Sequence, residues 1–190
     1  REEDSLRKAL QKADSVAAPV PFLRDGKITG NCQVPDMDLE TLLSGMHRGS
    51  VLFGGNIPWN VRERFRAAGI RVYDMMEDEQ VAMRTTVATA EGAIAEAVSR
   101  STCNLSGSRC MILGYGRCGS TLALLLRGFA CRLSIVEKDP SRAAAASVLA
   151  ERVLSPLELE ENIWEETFIF NTVPDMILSG EVLRRVKETA

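Results

Sequence analysis

Near the middle of the chain, an apolar run at residues 108–113 leads directly into three glycines. These glycines, Gly114, Gly116 and Gly119, have the spacing G-x-G-x-x-G, and an amphipathic helix pattern follows at 119–130. The combination predicts a buried strand, a tight turn and a helix that packs closely on the strand. Because a strand joined directly to a helix is the repeating unit of parallel α/β proteins, this feature restricts the fold more than any other.

The rest of the chain continues the alternation of short apolar runs and helical patterns. We predict an α/β protein with a Rossmann-type parallel sheet preceded by a smaller α/β domain, both incomplete at the chain ends. The N-terminal domain is predicted at 1–102, including a linking helix at 89–102 with Thr89 as its N-cap, and the Rossmann domain at 103–190. Predicted strands lie at 15–22 (ending at prolines), 50–56 (ending in a glycine turn), 70–75, 108–113, 131–139, 151–155 and 167–174 (ending in a loop). Predicted helices lie at 3–14, 38–46 (with Asp38 as N-cap), 58–69, 89–102, 119–130, 140–150 and 179–188. A further helix start is predicted at 156–163, and 24–30 is predicted to be a turn or loop.

Composition argues against several classes of function. The formal net charge of −3 lacks the basic surplus of a nucleic-acid-binding protein, and no apolar run approaches the roughly 18 residues that suggest a membrane span. The five cysteines are odd in number and include no C-x-x-C pair, so we expect neither a disulfide framework nor a zinc site. The single histidine, His47, lies in a predicted loop, and the acidic residues at 74–79 suit a helix start better than a metal site. The first residues do not resemble a signal peptide, and we expect a cytoplasmic protein.

The glycine spacing predicts the binding of a dinucleotide. Gly114 permits a tight turn, Gly116 leaves room for a pyrophosphate beside the backbone, and Gly119 allows close packing of helix and strand. The helix N-terminus then offers unpaired N–H groups and a partial positive charge to the phosphates. Glu137 ends the next predicted strand, about 20 residues on, where an acid binds the ribose hydroxyls of a cofactor. The alternative is that the three glycines serve only the tight connection.

The identity of the cofactor stays open. The turn alone does not separate a nicotinamide from a flavin. Glu137 favours NAD, because a carboxylate accepts hydrogen bonds from the ribose diol and repels a 2′-phosphate, whereas Lys138 or Arg117 would hold that phosphate of NADP. Cys118 is interpreted as a small residue packed under the cofactor, with a catalytic nucleophile as the alternative. The other predicted cofactor contacts are Tyr115 in the turn and Asn171, Thr172 and Pro174, since ligands bind beyond the carboxyl ends of parallel strands.

Three stretches together resemble the A subunit of dipicolinate synthase: TAEGAI (89–94), ILGYGRCG (112–119) and FNTVPDMIL (170–178). The shorter stretches APVPF, VLFGGN and MEDEQVA occur in the same order along the chain. The resemblance implies a Rossmann domain joined to a smaller α/β domain, as in D-2-hydroxyacid dehydrogenases and S-adenosylhomocysteine hydrolase. It also implies the NAD(P)-linked formation of dipicolinate from a dihydrodipicolinate precursor in sporulating bacteria. The implied partner is the flavoprotein-like B subunit of that enzyme.

The implied substrate, a small dicarboxylate between the two domains, needs cationic or N–H donors. We predict Arg24 and Arg84 for this role. Thr86 and Glu91, at the start of the linking helix, are the predicted catalytic residues, which orient the substrate or move a proton.

The chain departs from the family before the linking helix. Where the family reads Asn-Ser-Ile-Pro-Thr, this chain has TTVAT (85–89), so that Thr85 replaces the asparagine and Ala88 replaces the proline. This departure weakens the catalytic assignment more than the cofactor site. It favours an alternative function, a non-catalytic dinucleotide-binding module that acts through a partner protein.

Overall fold

A computed structural model describes residues 3–30 and 34–186 of the chain. The chain forms two compact units, Arg1–Ala82 and Met83–Ala190. The predicted domains, 1–102 and 103–190, instead count the linking helix with the first domain, and that assignment stays a prediction. Cys32 lies outside the described residues, as do the last residues of the helix predicted at 179–188. The other four cysteines are free thiols.

The N-terminal unit combines a small parallel sheet with short helices. Its elements are α1 (Leu6–Leu10), β1 (Ser15–Ala17), β2 (Leu23–Arg24), β3 (Lys27–Ile28), α2 (Leu39–Gly45), β4 (Val51–Gly54), α3 (Trp59–Ala67) and β5 (Arg71–Asp74). The sheet has the order β1-β4-β5, and both pairs of neighbours are parallel. Its core is formed by apolar residues of the sheet and the helices, with Leu52 and Phe65 fully buried.

Two predictions for this unit are right only in part. The strand predicted at 15–22 is present but ends at Ala17, because the prolines at 19 and 21 have no N–H to donate to a sheet ladder. The turn or loop predicted at 24–30 contains a turn, formed by Asp25 and Gly26 at positive φ. This turn joins the short strands β2 and β3 into an antiparallel hairpin, which the sequence pattern did not reveal.

Asp36 caps the first helix from a distant point in the sequence. Its carboxylate accepts hydrogen bonds from the N–H groups of Leu6 at 2.8 Å and Arg7 at 3.0 Å, and from the Ser5 hydroxyl at 2.7 Å. The Arg7 N–H, the Ser5 hydroxyl and the Leu6 N–H together lower the pKa of Asp36 to about 2. The helix predicted at 3–14 is observed only at Leu6–Leu10. Because so few residues form no stable helix alone, the cap from Asp36 stabilises it.

The acidic residues at 74–79 hold turns and helix starts. The Asp74 carboxylate is 2% exposed, accepts hydrogen bonds from three backbone N–H groups at 2.8–3.0 Å, and pairs with Arg62 at 2.7 Å. Asp78 accepts hydrogen bonds from the first N–H groups of the next helix. The N-cap predicted at Asp38 is confirmed, with its Oδ1 2.8 Å from the N–H of the third residue after it. In the ranges 3–30 and 34–186, no cluster of His, Cys, Asp and Glu is suited to hold a metal ion.

The linking helix, α4 (Glu79–Arg100), begins before the predicted start at Thr89. Thr89 is therefore not an N-cap; it lies inside the helix, and its hydroxyl donates to the carbonyl oxygen of Thr85 at 3.1 Å. The reason is that no proline or glycine interrupts residues 79–91, so the helix continues through the segment where the family has proline. Ala90 and Ile94 of this helix are buried in the core of the C-terminal unit.

The C-terminal unit is built on a four-stranded parallel sheet. Its further elements are β6 (Arg109–Leu113), α5 (Arg117–Gly128), β7 (Arg132–Val136), α6 (Pro140–Ala146), β8 (Arg152–Leu154), α7 (Leu159–Asn162), β9 (Phe168–Asn171) and α8 (Gly180–Leu183), with short 3₁₀ turns at Pro156–Glu158 and Ile163–Glu165. The order is β8-β7-β6-β9, with every pair of neighbours parallel. Apolar clusters cover both faces, and the predicted α/β class with a Rossmann-type parallel sheet is confirmed.

A network of ion pairs lies at the amino end of this sheet. The fully buried Glu166 accepts hydrogen bonds from the Ser134 hydroxyl at 2.7 Å and from Arg152 Nη2 at 3.0 Å. Glu165 pairs with Arg152 at 3.1 Å and with Arg109. In the described part of the chain, Glu166 Oε2 and Arg109 Nε have no hydrogen-bond partner. None of these residues was singled out from the sequence.

Candidate dinucleotide site

The three glycines of the turn differ in what surrounds them. Gly114 has a φ of +89°, and a Cβ there would come within 2.5 Å of Val173 Cγ1. A Cβ on Gly119 would overlap the carbonyl oxygen of Gly114, so the helix and the strand approach as closely as their backbones allow. A Cβ on Gly116 would meet no described atom within 4 Å. The tight turn, the close packing and the open space expected of the three positions are all present.

The turn lies where the strand order of the sheet reverses. From β6 the chain continues to β7 on one side, whereas β9 lies on the other side. Ligands of open α/β sheets bind in the crevice at such a switch point. Helix α5 begins here with Gly116 as its N-cap, the Gly116 position provides no side-chain cap, and the first turn contains no acidic residue.

Glu137 connects the glycine turn to the end of β7. Its Oε2 accepts a hydrogen bond from the Tyr115 N–H at 2.7 Å, and its Oε1 accepts one from the Asp139 N–H at 2.9 Å. Burial raises the pKa of the Glu137 carboxyl, but backbone N–H donors and a nearby guanidinium lower it by more, so the net pKa lies below its usual value. The donors are the N–H groups of Asp139, Tyr115 and Lys138, and the cation is Arg142. The carboxylate is therefore ionised at neutral pH, although the residue is only 8% exposed.

A cavity of about 300 Å³ adjoins the turn on the β7 side. Two of the glycines, Gly114 and Gly116, share it with Glu137 and with residues from the ends of β7 and β9. Its other lining residues are Val136, Lys138, Arg142, Pro156, Thr172, Val173, Pro174, Asp175 and Ile177. Apolar walls with a few charged groups are typical of a ligand site.

A second cavity, of about 530 Å³, lies on the other side of the loop that follows β9. Thr172, Val173 and Pro174 line both cavities, so this loop forms the wall between them. The Thr172 hydroxyl donates to the carbonyl oxygen of Leu113 at 2.8 Å, which ties the loop to the end of β6. The remaining lining residues are Thr89, Ala90, Ala93, Cys118, Leu122, Ile169, Phe170 and Asn171. The two cavities together offer two adjacent compartments around the glycine turn.

Most of the predicted cofactor residues meet here. Gly114, Gly116, Glu137, Lys138, Thr172 and Pro174 line the first cavity, and Cys118, Asn171, Thr172 and Pro174 line the second. Tyr115, Arg117 and Gly119 belong to the turn but line neither cavity, and Tyr115 packs against the apolar core. Their roles toward a cofactor stay predictions.

The predicted catalytic and substrate residues lie elsewhere. Arg24 is exposed on the hairpin of the N-terminal unit, and Arg84 and Glu91 are exposed on α4 outside the lining of either cavity. Thr86 is 3% exposed, and its hydroxyl lies 2.7 Å from the Thr121 hydroxyl. Their roles stay predictions that rest on the resemblance.

Several lining residues were missed from the sequence. Arg142 lies on α6, which follows the end of β7 directly, so its closeness to Glu137 in the sequence was a signal that could have found it. Thr89, Ala90 and Ala93 were recognised as helical, and the spacing of Ala93 at three positions from Ala90 and four from Thr89 would have indicated a common face. Val173, Asp175 and Ile177 follow the predicted contacts in sequence but carry no motif of their own.

Comparison with known proteins supports this interpretation of the fold. No family model matches the chain. The A subunit of dipicolinate synthase from Bacillus subtilis (strain 168) is 30% identical over 116 residues, which are 60% of this chain and 38% of that protein. The crystal structure of the dipicolinate synthase A subunit from Bacillus halodurans matches with a TM-score of 0.78 at 16% identity, covering 95% of this chain and 63% of that one. The chain is similar to this component of dipicolinate synthase in both sequence and fold. The resemblance inferred from its residues is thus confirmed.

A further solved structure shares the fold. A transhydrogenase from Sinorhizobium meliloti matches with a TM-score of 0.68 at 14% identity, covering 97% of this chain and 59% of that one. The chain spans about two fifths of the Bacillus subtilis protein and about three fifths of the solved structures that it matches. Across the helices that the structure describes, none is both long and apolar enough to cross a membrane.

Proposed function

We propose that the C-terminal unit binds a nicotinamide dinucleotide, NAD or NADP, and that the chain is the cofactor-binding part of an oxidoreductase of the dipicolinate synthase type. The main observation behind this proposal is that residues of the glycine turn line two cavities. Residues 172–174 line both cavities and form the wall between them. The similarity to the A subunit of dipicolinate synthase and the shared fold with a transhydrogenase support it.

The residues present suit such a cofactor. The space beside Gly116 admits a pyrophosphate next to the backbone, and the start of α5 offers N–H groups to it. Glu137 lies beside this space with acceptor capacity for a ribose hydroxyl. In the second cavity, Thr89 and Asn171 provide polar groups, while Ala90, Leu122 and Phe170 exclude water.

We propose that the reaction converts a dihydrodipicolinate precursor into dipicolinate. A bound nicotinamide would supply the hydride-accepting chemistry that this oxidation requires. The substrate is a small dicarboxylate, with Arg24 and Arg84 as proposed carboxylate partners and Thr86 and Glu91 as proposed groups that orient it or move the accompanying proton. The proposed partner is a flavoprotein-like B subunit, since the name of the Bacillus subtilis relative marks it as one component of a larger enzyme.

Calorimetric titration of the chain with NADH and with NADPH tests the proposal. We expect saturable binding of at least one of the two, and loss of that binding in Gly116→Val. Gly116 has a φ of −79°, which valine adopts readily, so the substitution fills the cavity without straining the turn. Gly128→Val is the matched control, because Gly128 ends the same helix and its Cβ would also meet no described atom. Equal binding by wild type and Gly116→Val would contradict the proposal, as would the absence of binding by the wild type.

One observation favours a second function, a non-catalytic dinucleotide-binding module. The residues predicted to be catalytic line neither cavity, and the Thr86 hydroxyl is buried against α5. Incubation of the chain with NAD or NADP and a dihydrodipicolinate precursor, with and without the partner protein, separates the two. Dipicolinate formation, followed by its ultraviolet absorbance, supports the enzyme; cofactor binding without turnover in either mixture supports the module.

A further inference from the structure

The outer edge of β5 in the N-terminal unit is open. β5 ends the sheet order β1-β4-β5, and in the described part of the chain no strand pairs with its other side. The Arg71 N–H donates to the carbonyl oxygen of Ser50 at 2.9 Å, so the backbone groups of Arg71 face β4. Because successive residues of a strand turn these groups to opposite sides, the N–H and the carbonyl of Val72 face the open edge. The edge therefore offers backbone groups to a further extended segment.

A groove of about 420 Å³ follows this edge. The consecutive residues 69–73 line it together with Arg66, which lies in the last turn of α3. Val72 packs against the apolar core, whereas Tyr73 lies on the other face of the strand and is 52% exposed. The Tyr73 ring stacks on Phe53 with the ring centroids 5.5 Å apart. An extended chain in this groove would have an apolar wall on one side and an aromatic ring on the other.

Both charged residues of the groove are basic. Arg66 and Arg71 line it, and no acidic residue belongs to its lining. Arg66 pairs with Glu63 at 3.0 Å, but both side chains are about half exposed, so this pair contributes little. The Arg71 guanidinium donates to the carbonyl oxygen of Gly49 at 3.3 Å, and among the residues that the structure describes it has no acidic partner. The groove thus carries an unbalanced positive charge.

A third arginine borders the groove at Gly69. A Cβ on Gly69 would come within 2.8 Å of Arg48 Cγ, so the aliphatic stem of Arg48 lies directly against this glycine. Arg48 is exposed. Within the ranges 3–30 and 34–186, Glu63 is the one acid at ion-pair distance from any of the three arginines. The surplus of positive charge therefore extends along the border of the groove.

This charge favours one kind of occupant. A second copy of the chain would bring the same arginines to both sides of the contact, and like charges on neighbouring strands are destabilising. A segment that carries acidic side chains would complement the arginines, while its backbone pairs with the open edge.

We infer that the edge of β5 is a docking site for an extended, acidic segment of a partner protein, which adds to the sheet as a further strand. The backbone of Val72 pairs with the segment, and Arg66 and Arg71 meet its carboxylates. The inference goes beyond the proposed dinucleotide function and does not depend on it, because all of these residues belong to the N-terminal unit.

Fluorescence anisotropy with two fluorescein-labelled peptides, EVEVEVE and QVQVQVQ, tests this inference on the 190-residue chain. The alternation places the Glu or Gln side chains on one face of an extended peptide and the valines on the other. We expect saturable binding of EVEVEVE and about ten-fold weaker binding of QVQVQVQ. Absence of saturable binding of EVEVEVE, or equal affinity for the two peptides, would overturn the inference.

Two variants separate the contribution of the backbone from that of the charge. Val72→Pro removes the N–H that faces the open edge and keeps the pairing with β4, so we expect it to lose binding of both peptides. Arg71→Gln should weaken binding of EVEVEVE about five-fold and leave QVQVQVQ unchanged, and it serves where Val72→Pro fails to fold. Arg64→Gln is the matched control, because Arg64 pairs with Glu40 and does not line the groove.

Three further outcomes would also overturn the inference. The first is binding of EVEVEVE by folded Val72→Pro at the affinity of the wild type. The second is an equal loss of affinity in Arg71→Gln and Arg64→Gln. The third is a dimer in sedimentation equilibrium that Val72→Pro dissociates, since the edge would then belong to a second copy of the chain.

Discussion

The two ends of the C-terminal sheet use charge in opposite ways. At the carboxyl end, Glu137 is held by backbone N–H groups, and the charged side chains line a cavity that is open to a ligand. At the amino end, Glu166 is fully buried, and its charge is met by Arg152 and the Ser134 hydroxyl. The same four strands thus carry an accessible charge at one end and an enclosed one at the other. Charge at the first end is available for binding, whereas charge at the second end serves stability.

The largest effect is expected at the amino end. Arg152→Met removes the nearer of two cations that face Glu166 and leaves the buried carboxylate with one hydroxyl hydrogen bond and with the Arg109 guanidinium at 4.0 Å. We expect the free energy of unfolding in urea to fall by about 2–3 kcal/mol, somewhat below the usual cost of breaking a buried pair because the Arg152 side chain is 31% exposed. Arg132→Met is the control, since Arg132 and Glu151 are both more than half exposed; its expected cost is below about 1 kcal/mol. Equal losses in the two variants would show that burial of Glu166 is not what matters.

Gly119→Ala changes the carboxyl end through packing rather than charge. The new Cβ would overlap the Gly114 carbonyl oxygen, a backbone atom that cannot move without opening the turn. We expect a loss of about 2 kcal/mol in the free energy of unfolding, typical of overpacking, together with weaker dinucleotide binding. Gly128→Ala at the other end of α5 should change stability by no more than about 0.5 kcal/mol. Unchanged stability of Gly119→Ala would contradict the close approach of helix and strand.

Unlike the charged residues at the two ends of the sheet, Thr86 and Thr121 interact through uncharged hydroxyl groups. These two hydroxyls have only two protons to donate but make three contacts: with the Met83 carbonyl oxygen at 2.7 Å, with the Arg117 carbonyl oxygen at 3.0 Å, and with each other. We expect Thr86→Val to cost about 1 kcal/mol, and the double variant Thr86→Val with Thr121→Val to cost no more, because both partners are then apolar. A double-mutant cycle by thermal or urea unfolding measures this, and strictly additive losses would exclude the coupling.

The smallest effect is the pH dependence of Glu137. Its folded-state pKa lies below its unfolded value, so its contribution to stability is fully present above the unfolded pKa and is lost as the pH falls through the folded pKa. We expect the wild type to exceed Glu137→Gln in stability by about 1 kcal/mol at pH 7 and the difference to shrink below about pH 4.3. Urea unfolding of both proteins between pH 7 and pH 3 measures the difference. A gap that widened toward low pH would have the wrong sign.

Local patterns were sufficient for much of the C-terminal unit. The strand predicted at 108–113 and the helix predicted at 119–130 agree with β6 and α5 to within two residues, because an apolar run, three glycines and a helical period are all local signals. The start of α4 was missed because Thr89 suits an N-cap, whereas residues 79–88 contain no proline or glycine that would end a helix before it. The hairpin at β2 and β3 was missed because two-residue strands carry almost no periodicity.

The sequence by itself determined the class of the fold, the glycine turn and the acid at the end of the following strand. Each of these depends on residues near one another in the chain, where sterics and periodicity act directly. The tertiary structure alone decided that residues 172–174 separate two cavities and that Glu166 is enclosed by Arg152 and Ser134. These residues lie far apart in the sequence, and the order of strands in the sheet brings them together.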